Sequence, residues 1–231
     1  MGQNKSILKG PELRFNEFNS PDTIVVFMHG YGSNGEDLID LARDFVEVLP
    51  NAVFLSPNAP YQFEGMPYPG SYQWCSLREF TEPALDQELD KVMPVVEQYL
   101  EGVLARFHLP ADRLVLIGFS QGTFVALRAA LYTNVKAKAV IGYSGGFIKS
   151  SNQPINNKPE ICLIHGDMDD VLPIVNLHEA DAALNKLNIP IESHICKGLS
   201  HGISPKGIEL GKQFLSKLFV NEKLNTGGIK K

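Results

Sequence analysis

The chain has 231 residues, 44% of them apolar and 20% charged, an ordinary balance for a globular protein and length enough for a substantial core. Its formal charge of −5, with no Lys/Arg cluster, speaks against nucleic acid as a partner, because neutralising phosphates takes concentrated basic charge. No apolar stretch approaches transmembrane length and residues 1–11 lack the hydrophobic segment of a signal peptide, so a cytoplasmic protein with no stable membrane insertion is expected. The three cysteines form no C-x-x-C and are odd in number, which argues against a disulfide framework. Cys162 and Cys196 fall in predicted strands as buried thiols, whereas Cys75, in a loop, is the candidate for an accessible thiol, with no functional role assigned to it.

In chain order, residues 1–22 are weakly patterned, with an edge strand or hairpin around 13–18. Residues 23–28, rich in β-branched side chains, read as the first central strand. A glycine-rich loop, His29-Gly30-Tyr31-Gly32-Ser33-Asn34-Gly35, leads to a helix over 36–48, capped by Ser33 or Asn34, with Leu38, Leu41, Ala42, Phe45 and Val48 on one face. After a strand at 52–56, residues 57–83 carry five prolines and six aromatics. We read this segment as a substrate-binding loop or partial lid, against the alternative of a packed loop without substrate contacts.

A long helix over 84–107 buries Leu85, Leu89, Val92, Val96, Leu100 and Leu104, with Pro94 as a candidate kink. Strands at 113–119, 137–144, 160–165 and 191–197 then alternate with helices at 121–132, 174–187 and 205–219, and a tail from Asn221 is expected to fray. This alternation predicts a single α/β domain over 1–231 with its core in 23–219. It would be a mostly parallel central sheet with helices on both faces, joined by right-handed crossovers. Ligands bind such sheets at the carboxyl ends of the strands.

Gly118-Phe119-Ser120-Gln121-Gly122 lies between a buried strand and a helix, the setting of a nucleophile elbow. The tight turn leaves no room for a Cβ two residues either side of the serine. It also presents the Gln121 N–H, at the helix start, to a developing oxyanion. A serine hydroxyl needs a base, and His201, in a loop between the last strand and last helix, is better placed than His194 in a strand or His178 on a helix. An acid must hold the base. Asp167, Asp169 and Asp170 follow the preceding strand, and the residues alone favour Asp169 only slightly. The second oxyanion donor is expected from the backbone of Tyr31, with His29 bracing its loop by hydrogen bonds. Met66, Trp74, Leu77 and Phe147 are candidate acyl-pocket residues from their loop positions and apolar character. No metal or nucleotide motif is present, so no cofactor is expected.

These ordered motifs resemble the phospholipase/carboxylesterase family of serine hydrolases, which includes acyl-protein thioesterases and small bacterial carboxylesterases. The resemblance runs from about Thr23 to Phe219. It implies an α/β-hydrolase fold with little or no lid, Asp169 as the triad acid in His165-Gly166-Asp167-Met168-Asp169, and Tyr31 and Gln121 as oxyanion donors. Trp74 matches the family's tryptophan motif near the site. Thr123 stands where the family usually has glycine, and Cys75 where an aromatic is common. The implied substrates are small esters or thioesters of short to medium acyl chains, with acylated proteins or lysophospholipids as the runner-up. A non-catalytic ligand receptor on the same fold is the competing class, and the intact Ser, His and Asp set argues against it.

Overall fold

A computed structural model describes residues 8–65 and 69–226, with side chains through residue 219. In chain order the strands are β1 (Glu12–Arg14), β2 (Thr23–Met28), β3 (Ala52–Leu55), β4 (Tyr61–Gln62), β5 (Tyr72–Gln73), β6 (Leu114–Phe119), β7 (Ala139–Tyr143), β8 (Glu160–Gly166) and β9 (Ile191–Cys196). The helices are α1 (Glu36–Ile39), α2 (Ala42–Phe45), α3 (Glu82–Phe107), α4 (Gln121–Tyr132), α5 (Val175–Lys186) and α6 (Pro205–Thr226). Seven strands form the main sheet in the order β1-β3-β2-β6-β7-β8-β9, parallel except where β1 pairs antiparallel with β3 at the edge. This is the α/β-hydrolase fold.

Alternation along the strands divides the core in two. Ile24, Val26, Leu116, Val140 and Leu163 pack under α3, α4 and α5. Their neighbours Val25, Phe27, Val115, Ile117 and Ile164 pack under α1, α2 and α6. With helices covering both faces, the loops after β2, β6, β7, β8 and β9 all open on one edge. Helix α4 is buried along its whole length, and Arg128 on it pairs with Asp86 and Asp90 of α3.

Three elements differ from the sequence reading. The expected helix over 36–48 is two short helices: Leu41 N–H donates to Leu38 O and Arg43 N–H to Asp40 O, three-residue spacings that tighten the turn so that Leu38, Ile39, Ala42 and Phe45 all reach the sheet. Asn34 Oδ1 accepts from the Glu36 and Asp37 amides at its start. Helix α3 continues through Pro94 and begins two residues earlier than expected, where Thr81 Oγ1 accepts from the Ala84 amide. Helix α6 runs on to Thr226, where the sequence reading had a frayed tail. Neither proline nor glycine interrupts residues 220–226, and Gly227 comes just after.

The irregular segment after β3 is not free-standing. Its β4–β5 hairpin pairs Tyr61 with Gln73, and Tyr72 exchanges backbone hydrogen bonds with Gly32 and Ser33 at 2.9 and 2.8 Å. The segment is thereby zipped onto the loop that follows β2.

Candidate active site

Ser120 sits at φ 51°, ψ −118°, a left-handed conformation that side chains other than glycine rarely adopt. The turn closes because its flanking glycines lack side chains: a Cβ on Gly122 would lie 1.9 Å from Met28 O, and one on Gly118 2.4 Å from Gly122 O. In register, Gly118 pairs with Gly142 on β7, and Thr123 Cγ2 would meet a Cβ there at 2.4 Å. The threonine at this position therefore fills space left by Gly142 and by Gly145, so no helix packing is lost.

His201 Nδ1 lies 2.8 Å from Asp169 Oδ2. Oδ1 of the same carboxylate accepts the Val171 and Leu172 amides at 3.0 and 2.8 Å. Burial pushes the Asp169 carboxyl up, but these amides and His201 together outweigh it and hold the group below the ordinary carboxylate range. An ionised Asp169 requires a proton on His201 Nδ1, which leaves Nε2 free as a base. The Phe119 ring packs against the imidazole at 5.0 Å between centroids. Asp167 is spent elsewhere, accepting the Gly198 amide at 2.6 Å.

The loop carrying Gly30 and Tyr31 is held by His29. Its Nε2 accepts the Ala59 amide at 3.0 Å, so the ring proton is on Nδ1, which donates to Gly30 O at 2.8 Å. A planar trans peptide points its N–H opposite its carbonyl, so fixing Gly30 O aims the Tyr31 N–H the other way. Burial, partly opposed by the Gly30 hydrogen bond, lowers the His29 pKa from its ordinary 6.5 to about 4. Among the described residues, neither the Tyr31 nor the Gln121 amide donates to a protein acceptor.

Gly30, Tyr31, Ser120, Gln121 and His201 all line one cavity of about 400 Å³ at the carboxyl edge of the sheet. Leu77 joins them, together with Phe80, Leu85, Phe124, Val171 and Leu172, which the sequence reading missed as lining. Leu85 was legible only as core, and Phe124 and Leu172 could have been found from their places four and three residues beyond Ser120 and Asp169. The other pocket candidates behave differently. Trp74 is fully buried behind the loop that carries Gly30 and Tyr31, where its Nε1 donates to His29 O at 2.9 Å, so it braces that loop and does not line the cavity. Phe147 is partly buried against the core and also lies off the lining, while Met66 lies outside the described residues.

Cys75 is a further correction. It is buried, not accessible, because the Gln121 side chain draws it in: Gln121 Nε2 donates to Cys75 O at 2.9 Å and reaches its Sγ at 3.4 Å. Burial pushes the thiol up to about 12. Gln121 Oε1 accepts the Trp74 amide at 2.8 Å, completing the link. Among the described residues, no group of three or more His, Cys, Asp or Glu side chains is placed to hold a metal ion, and no helix is long and apolar enough to cross a membrane.

A strained serine after a central strand, lining one cavity at the sheet's carboxyl edge together with a carboxylate-held histidine, defines a hydrolase of the α/β class. Residues 16–219 match the phospholipase/carboxylesterase family model, and the chain belongs to that family. Among its relatives is acyl-protein thioesterase 1 homolog 1 of Dictyostelium discoideum, 28% identical over 92% of this chain and 97% of that protein. Esterase YpfH of Escherichia coli is 25% identical over 85% of this chain and 84% of its own. The crystal structure of esterase PE8 superposes with a TM-score of 0.83 at 33% identity, covering 91% of this chain and 98% of that one. The Bacillus cereus carboxylesterase shares the fold at a TM-score of 0.75 and 17% identity, over 93% and 96% of the two chains. This kinship to enzymes sets aside the receptor reading.

Proposed function

We propose that the protein is a serine hydrolase that cleaves carboxylic esters and thioesters through an acyl-enzyme on Ser120. The observation that carries this reading is the meeting of strained Ser120, the His201–Asp169 pair and two unpaired amides around one apolar-walled cavity. Ser120 Oγ attacks the acyl carbonyl carbon while His201 Nε2 takes its proton, and the carbonyl oxygen becomes an oxyanion received by the Tyr31 and Gln121 N–H groups. The bond to the leaving oxygen or sulfur breaks as His201 returns the proton to it. Water then repeats the sequence on the acyl-enzyme, freeing the acid and restoring Ser120. Asp169 orients the ring and stabilises the imidazolium in both halves.

Leu77, Phe80, Leu85, Phe124 and Leu172 give the acyl chain an apolar wall, which suits short to medium chains. A second reading, toward acylated proteins or lysophospholipids, is favoured by the apolar rim: Phe80 is 56% exposed and Val171 62% at the cavity, with Met168 66% exposed beside Asp169. The names of the thioesterase relatives support the same alternative. We read the chain as one catalytic domain with its core in 23–219. We place it in the cytoplasm, since three unpaired buried thiols fit a reducing compartment.

The test is kcat/KM for p-nitrophenyl esters from acetyl to palmitoyl, beside Ser120→Ala. Activity that peaks at short or medium chains and falls by about 10³-fold or more in the variant is expected. A rise toward palmitoyl would move the assignment to lipid or acyl-protein substrates. Undiminished turnover in Ser120→Ala would overturn the serine mechanism.

A further inference from the structure

The end of β7 touches both halves of the site while carrying no reacting group. Tyr143 O accepts the Ser120 amide at 2.9 Å and Thr123 Oγ1 at 3.1 Å, so this carbonyl anchors the serine turn. The next residue, Ser144, is fully buried and takes φ 45°, in the left-handed region. Its amide donates to Ile164 O at 2.9 Å, and its hydroxyl donates to Gly202 O at 3.0 Å.

That last bond falls one residue beyond His201. The loop carrying His201 is tied to the loop after β8 at its start, by the Gly198 amide on Asp167 Oδ1 and the Met168 amide on Leu199 O at 3.0 Å. Gly166 admits the approach, since a Cβ there would lie 2.1 Å from Leu199 O. The exit of the loop has its tie at Ser144. Besides its own bond to Asp169, His201 is therefore held between two ties, one to the loop after β8 and one to Ser144 just after β7, and the Ser144 tie is continuous with the carbonyl that holds Ser120. Thr123 stiffens this strand end by seating its side chain against Gly142 and Gly145.

We propose that Ser144 is a positioning residue: its hydroxyl fixes the exit of the His201 loop to the strand end that holds Ser120, and so sets the spacing between nucleophile and base. The inference rests on the reading of Ser120 and His201 as the reacting pair.

Two variants test it, assayed on p-nitrophenyl butyrate with melting temperature recorded alongside. Ser144→Ala removes the hydroxyl. Ser144→Gly removes it too but suits the left-handed backbone better than serine does. Both are expected to lose about 10-fold in kcat with KM within twofold, because a displaced base weakens the transition state and leaves ground-state binding alone. If Ser144 served only to hold the turn, Ser144→Gly would match the unmodified protein; a kcat for that variant within twofold of it overturns the proposal. Loss of folding in both variants overturns it as well, since the hydroxyl would then be structural. Ser120→Ala, run in parallel, separates the two claims. If it stays active the underlying mechanism fails whatever Ser144 does, and if it is dead while Ser144→Gly keeps full kcat only the positioning role fails.

Discussion

The serine turn and the loop carrying Tyr31 lie against each other and line the same cavity, yet they are held by different physics. Around Ser120 the constraint is steric and local: Gly118 and Gly122 let backbone approach backbone so closely that no side chain fits. Around Tyr31 the constraint is a web of side chains drawn from far along the chain. His29 accepts from the Ala59 amide, Trp74 donates to His29 O, Gln121 clasps the backbone of Trp74 and Cys75, and Glu64 accepts from the Tyr31 hydroxyl. Steric exclusion fails all at once when it is violated. A web of hydrogen bonds weakens strand by strand, so damage to the two sides should differ in kind as well as in size.

The largest effect is expected from Gly122→Ala. A Cβ 1.9 Å from Met28 O and 2.8 Å from His29 O cannot be relieved by a side-chain rotation, because both neighbours are backbone at the end of β2. We expect a loss of about 3 kcal/mol or more of stability and loss of esterase activity by at least about 100-fold in whatever remains folded. Gly102→Ala is the matched control. It lies on α3, nothing stands within 4 Å of its added Cβ, and its effect should be a gain of about 0.5–1 kcal/mol. Thermal melts of the pair check both, and a Gly122→Ala protein that melts and turns over normally would dismiss the steric account.

The same contrast explains what could be read from the sequence. Strand and helix alternation and the glycine-flanked elbow arise from short-range rules and can be read from a few neighbouring residues, whereas the preference for Asp169 over Asp167 and Asp170 leans on the family resemblance. The web cannot be read locally. Trp74 looks like a pocket aromatic until the fold shows it turned inward on His29 O, and Cys75 looks accessible until Gln121, 46 residues later, is seen to hold it. Glu64 and Phe80 carry no local signal, because their meaning depends on where an irregular segment without periodicity is zipped down. The split of residues 36–48 into α1 and α2 escapes for a related reason, since apolar spacing records which residues face the sheet and not how tightly the turns between them wind.

A smaller, reversible effect should come from pH through His29. With the ring neutral and its pKa lowered to about 4, the unfolded chain takes up a proton near the ordinary 6.5 while the folded one does not. Stability from this group is therefore complete above pH 6.5 and is lost as pH falls toward 4, at a limiting slope of about 1.4 kcal/mol per pH unit and by up to about 3 kcal/mol in all. Protonation of Nε2 also abolishes the acceptor for the Ala59 amide, loosening the peptide that aims the Tyr31 N–H. His29→Gln retains one donor and one acceptor and does not titrate. Denaturant titrations between pH 7 and 5 should show a flatter pH dependence in the variant; equal slopes in the two proteins would remove His29 from the account.

The smallest effect, and the sharpest probe of the web, is Glu64→Gln. The carboxylate accepts the Tyr31 hydroxyl at 2.6 Å, the Leu77 amide at 2.9 Å and the Ser76 hydroxyl at 2.9 and 2.8 Å, with Arg78 Nε at 3.2 Å. Burial pushes its pKa up, but these donors prevail and hold it at about 2, so it is ionised throughout the working range. Glutamine keeps the oxygen that receives Tyr31 and Leu77 while losing the charge and the second oxygen's bonds to Ser76 and Arg78. About 1 kcal/mol of the tether should go, with Tyr31 left in place but less firmly held. An oxyanion exists only on the way through the tetrahedral state, so the change should appear as a fall of about 3- to 5-fold in kcat at constant KM. Glu64→Ala, which frees the Tyr31 hydroxyl altogether, should fall further in the same direction. If the two variants raised KM and spared kcat, Glu64 would be shaping the acyl pocket through Leu77, and the oxyanion loop would owe its position to His29, Trp74 and the backbone pairing of Gly32 and Ser33 with Tyr72.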